Sequence, residues 1–102
     1  MAKVVALYKR PVDAAAFDSY YYSKHIPIAK RIPGLRRVEA SVGAVNTPAG
    51  PSPYHVVGIL SFDSAAALQA ALASPEGQAA VSDLAKFAHG GVDLLIFDTK
   101  EF

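Results

Sequence analysis

A chain of 102 residues with ten basic and nine acidic side chains, no cysteine and no tryptophan is sized for one domain over residues 1–102. Its formal net charge of +1, spread along the sequence, argues against a general nucleic-acid or membrane-surface binder. Without cysteine neither a disulfide framework nor a thiolate metal site can form. No segment approaches the length of a membrane span. The apolar run in "MAKVVALYKRP" is also too short for a secretory signal, so a cytoplasmic protein is the default expectation.

In chain order, "KVVALY" at 3–8 is β-branched and aromatic, and "KRPVD" stops it, which predicts a first strand. Asp13 is placed to cap a helix. Phe17, Tyr21, Ile28 and Ile32, with Tyr20 or His25 between, recur at helical intervals, and "PGL" at 33–35 ends that helix, Gly34 suiting the left-handed position after it. Residues 35–46 predict a second strand and 54–62, "YHVVGILSF", a third, with the turn-rich "TPAGPSP" between them. Ser64 or Asp63 can cap a second helix through "AAALQAALA". "SPEG" interrupts it, "QAAVSDLAKFA" continues it, and "HGG" closes it. The last segment, "VDLLIFDTKEF", predicts a fourth strand.

Strand, helix, strand, strand, helix, strand is the ferredoxin-like βαββαβ order, an α+β fold. Right-handed crossovers put both helices on one face of a four-stranded antiparallel sheet. Yet "VVAL", "VVGIL" and "LLIF" are apolar at successive positions, the pattern of strands covered on both faces. The economical cover for the second face is another copy of the same sheet, giving a homodimeric α+β barrel.

Phe17, Tyr20, Tyr21, His25 and Pro27, followed by "PGLRR" at 33–37, resemble the F-x-x-Y-[WY]-x-x-x-H-x-P block of the EthD family, small dimeric α+β barrel proteins named for ethyl tert-butyl ether degradation. Ser74, Pro75, Glu76, Asp83 and Phe87 resemble that family's second-helix signature. Tyr21 stands where many members carry tryptophan. Relatives sharing this barrel include polyketide cyclases, muconolactone-type isomerases, cofactor-free monooxygenases and haem-degrading enzymes. The resemblance therefore implies small-molecule chemistry without choosing the reaction.

Within that frame the expected function is cofactor-independent lyase, isomerase or oxygenase-like chemistry on an aromatic or polyketide-like compound. His25 is the candidate acid or base, since imidazole titrates near ~6.5. Burial without a carboxylate neighbour would keep its ring neutral. Tyr21, four residues earlier on the same helix face, could donate a hydrogen bond to a developing enolate or phenolate. Tyr20, Phe17, Phe62 and His55 are candidate walls and contacts for an apolar or aromatic ligand. The alternative is a non-catalytic dimer that binds such a ligand or serves a partner oxidase.

Histidines at 25, 55 and 89 have no metal-ligand spacing, and His89 before Gly90-Gly91 reads as a helix C-terminal cap. Asp83 has Lys86 one turn on, which reads as a solvated pair. Lys24, Lys30, Arg31, Arg36 and Arg37 read as a solvated face. Pro27 is the local rule-breaker. It has no N–H to give the Ser23 carbonyl and biases Ile26 away from helical geometry, so the helix should loosen where His25 sits.

Overall fold

The computed structural model describes all 102 residues. Strand β1 (Ala2–Lys9) leads to a helix in three pieces: α1 (Ala14–Tyr20), a π-helical turn (Tyr21–His25) and α2 (Ile26–Ala29). Next come β2 (Arg37–Ala40), a small ribbon of β3 (Asn46–Thr47) and β4 (Gly50–Pro51), and β5 (Tyr54–Phe62). Helices α3 (Ala65–Ala73) and α4 (Pro75–Asp83) run through a 3₁₀ turn (Leu84–Lys86) to β6 (Val92–Asp98). The main sheet has the order β2-β5-β1-β6 with every pair antiparallel. This is the ferredoxin-like α+β arrangement.

Local chemistry sets the element ends. Asp13 accepts from the Ala16 N–H, Ser64 from Ala67 and Ser74 from Gly77, each side-chain oxygen satisfying an orphan donor of a first turn. Gly34 takes the positive φ of +78° expected after the helix. Two strands are shorter than the sequence predicts. The second was expected over 35–46 but pairs only from Arg37 to Ala40. At Ser41 the hydroxyl, not a backbone carbonyl, accepts from the Val57 N–H, and the ladder stops there. The last strand ends at Asp98, opposite Ala2, where its antiparallel partner β1 begins. Thr99 instead closes the chain by donating from its N–H to the Met1 carbonyl at 2.7 Å.

Pro27 does not break the helix. Ile26 stays helical (φ −58°, ψ −45°), its N–H reaching back five residues to the Tyr21 carbonyl. The widened turn spreads the backbone that the proline ring would otherwise crowd. The side of the helix lacking an N–H is exposed, so water can take the freed carbonyl. The loosening expected at His25 is present, then, as a π turn inside a continuous helix.

The molecule measures 35 × 34 × 18 Å; the short dimension is one helix layer on one sheet, each about 10 Å thick. Ala2, Val4 and Tyr8 of β1 are buried under the helices. Two apolar clusters form this core, one around Phe62, Leu68 and Val4, the other around Tyr8, Phe17, Tyr21 and Phe87. Between them the sheet floor is low. Ala40, Gly58 and Ala6 face one another in register across β2, β5 and β1, and Leu94 continues the row on β6. Larger pairs flank it, Tyr8 with Val56 on one side and Val4 with Leu60 on the other.

The opposite sheet face has no layer over it. Val5, Ile59 and Leu95 form a cross-strand row there, beside Leu7, Val57 and Phe97. Leu95 and Phe97 are 48% and 44% exposed, which is unusual for large apolar side chains on a sheet.

Candidate functional site

The π turn aligns the side chains that matter. Eight residues of pure α-helix overshoot two full turns by about 80°, which would swing His25 away from Phe17. A turn with i→i+5 bonding advances less per residue and cancels that drift. The result is a stack: Phe17 and Tyr21 lie 5.6 Å apart at 20°, Tyr21 and His25 5.8 Å apart at 21°. Phe87 closes over the imidazole at 4.6 Å.

His25 is buried, and its Nδ1 lies 2.9 Å from Oδ2 of Asp83, which is itself only 3% exposed. The other carboxylate oxygen accepts from the Tyr20 hydroxyl at 2.7 Å. Burial alone would raise the Asp83 pKa. The hydrogen bonds from Tyr20 and His25, with the charges of His25 and Lys86, outweigh it and hold the carboxyl below its usual range. Burial pushes His25 the other way from a paired histidine, below its ordinary value, against the pull of Asp83. Near neutrality the pair is thus a carboxylate and a neutral imidazole. A carboxylate can only accept, so Nδ1 carries the proton and Nε2 keeps its lone pair. The Tyr8 hydroxyl sits 3.5 Å from that Nε2.

Nε2 and the Tyr8 hydroxyl belong to side chains that line a cavity of about 100 Å³ between sheet and helices, with Tyr21 beside them. Sixteen of its twenty lining residues are hydrophobic, which suits an apolar occupant. The Tyr8 and Tyr20 hydroxyls face His25 and Asp83, whereas no group of the chain partners the Tyr21 hydroxyl. It sits over Gly58, where an added Cβ would stand 2.8 Å from it. Burial and the neighbouring Tyr22 raise the Tyr21 pKa to about 12, so it stays a donor at neutral pH. Burial, then Tyr21 and Asp83, raise Tyr8 further still.

The other residues singled out in the sequence separate from this cluster. Tyr20 supports Asp83 from outside the cavity and stacks on Phe87. Phe17 is core, its ring edge meeting His55 at 5.1 Å. His55 binds Asp18 at 2.7 Å and opens on a different, polar groove with Arg10 and Tyr22. Phe62 is fully buried in the other apolar cluster. His89 is exposed and caps the Ala85 carbonyl at 3.1 Å.

Two members of the cluster lie outside the sequence-derived candidates. The sequence predicts Asp83 as a solvated partner of Lys86, but that contact is a loose 4.0 Å and the carboxylate is buried. The usable signal was its phase: Ala80 and Asp83 share the buried face of α4, with Phe87 buried just past the 3₁₀ turn that follows, and a carboxylate there needs a partner. Tyr8 gave a weaker sign, as the only hydroxyl-bearing residue among the inward positions of the first strand.

Fold and site together define a small ferredoxin-like α+β protein with an apolar cavity beside a buried histidine–aspartate pair. The family model for the EthD domain matches residues 9–91. The chain belongs to the EthD family. It is 42% identical, over 96% of its length and 94% of the other's, to an uncharacterized 11.0 kDa protein from the thcB-thcC intergenic region of Rhodococcus erythropolis. The crystal structure of an EthD family protein from Bacillus halodurans superposes with a TM-score of 0.90 at 34% identity, covering 98% of this chain and 99% of that one. More distant likenesses show the fold alone. SnoaB, a cofactor-independent oxygenase from Streptomyces nogalater, gives a TM-score of 0.67 at 17% identity over 99% and 94% of the two chains. A dimeric ferredoxin-like protein from Thermobifida fusca gives 0.68 at 15% over 96% and 90%.

Proposed function

We propose that this protein is a homodimeric enzyme that moves a proton on a small apolar molecule without needing a cofactor for that step. His25 Nε2 takes the proton. Asp83 fixes the tautomer and stabilises the imidazolium that results. The Tyr21 hydroxyl donates to the oxygen on which charge develops. The observation that carries this reading is the 2.9 Å contact between Nδ1 and Asp83, which leaves the opposite nitrogen basic beside the cavity. The fold likeness to a cofactor-independent oxygenase supports it, since deprotonating an apolar phenol or enol is also the entry step to that class of chemistry.

His25→Gln tests the reading, because glutamine keeps an amide N–H for Asp83 but has no basic lone pair. Turnover should fall by at least about a hundredfold with the thermal midpoint nearly unchanged. Unaltered turnover would remove His25 from the chemistry, and a loss confined to ligand affinity with no activity in the parent protein would assign the cavity to binding alone.

A further inference from the structure

The cavity follows from the small residues in the sheet floor. Ala6 and Gly58 line it from below, Ala29, Gly77 and Ala80 from the helices, and Leu94 ends the floor row at the β6 edge. Any larger side chain along that row would fill it. The row thus forms a trough, which begins under the Tyr21 hydroxyl at Gly58 and runs across β1 to the edge of the sheet.

The two ends of the trough differ chemically. At the Gly58 end stand the polar side chains of Tyr21, Tyr8 and His25, the Tyr8 hydroxyl 3.5 Å from His25 Nε2. At the β6 end Leu94 and Ile96, with Val81 of α4, are about half exposed and form an apolar lip. No lysine or arginine lines the cavity, and its single carboxylate is Glu39, an exposed side chain on β2. An anionic group drawn into this space would lose its water without gaining a cation.

From this we infer the ligand class: an uncharged molecule with one carbonyl or hydroxyl head and a narrow apolar tail. The head meets Tyr21 and His25 over Gly58, and the tail follows the trough past Ala6 and leaves over Leu94. Carboxylates, phosphates and their conjugates are excluded by charge, and bulky branched bodies by the narrow floor. This rests on the acid–base reading of His25 for the head, while the tail and charge rules rest on the trough itself.

Binding of homologous 2-alkanones and of alkanoates of equal length, measured by titration calorimetry at pH about 8 where the acids are ionised, tests the assignment. The same titrations on His25→Gln separate it from the catalytic proposal, since tail and charge selectivity must survive that substitution even if turnover does not. Ketone affinity should rise roughly fourfold per added methylene until the tail clears the lip, with each alkanoate at least about tenfold weaker. Ala6→Val should shift the optimum to shorter tails. Leu94→Ala, at a half-exposed position that does not endanger folding, should flatten the gain for the longest ones. Alkanoates binding as tightly as ketones, affinity independent of tail length, or an unchanged length profile in both variants would each overturn it.

Discussion

Tyr21 and Gly58 are matched across the space between helix and sheet. An alanine methyl at 58 would stand 2.8 Å from the Tyr21 hydroxyl, closer than van der Waals contact allows. Gly58→Ala should therefore destabilise the protein by about 1–3 kcal/mol in the parent. With Tyr21→Phe the obstructing oxygen is gone. Since glycine inside a strand is itself about 0.5–1 kcal/mol worse than alanine, the same substitution should then be neutral or stabilising. Urea denaturation of the four proteins measures the coupling; equal cost in both backgrounds would show that the hydroxyl does not set the fit.

The dyad has its own dependence on pH. His25 and Asp83 both have folded-state pKa values below their ordinary ones, so between folded and unfolded values the unfolded chain binds more protons. Stability is then fully present above about pH 6.5, and falls as acid titrates first the histidine and then the carboxylate. The urea midpoint should drop from neutral pH to pH about 5, and His25→Gln should remove the upper part of that drop. A parent midpoint flat across this range would contradict the neutral-imidazole assignment.

Among the elements, the segment from Tyr21 to Ala29 carries the most information. Pro27 sits two residues after the widened turn that stacks Phe17, Tyr21 and His25. Pro27→Ala restores an N–H to an exposed helix position and should raise the thermal midpoint by several degrees. If the proline also holds the π turn, turnover should fall alongside, and a more stable protein with undiminished turnover would make Pro27 a tolerated oddity. The sequence showed that something must loosen at this point but not its form. A missing N–H is legible in one residue, while the choice between a kink and a π turn depends on which rings pack beneath. The helix caps at Asp13 and Ser64 were legible because they are local. The Asp83 contact was not, because its alternatives were a visible lysine three residues on and an invisible histidine 58 residues away.

For the whole molecule, apolar runs in all the long strands pointed to a sheet covered on both faces, and the chain alone covers one. The bare row of Val5, Ile59 and Leu95 is the surface through which we propose that two copies pair. Light scattering after size exclusion should give a mass near twice 10.7 kDa. Leu95→Glu, already half exposed in the single chain, should yield a folded monomer. A parent monomer at micromolar concentration would refute the pairing.

The contact between His25 and Asp83 spans 58 residues, and that from Tyr20 to the same carboxylate spans 63. It ties the helical segment after β1 to the one after β5, so loop-closure entropy must be met before either bond can form. During refolding, the His25 imidazole should stay solvated until α4 docks on it. The ring is thus an internal clock: its proton NMR shift at a fixed, mildly acidic pH should change only with the last kinetic phase, after the helices have regained their circular dichroism.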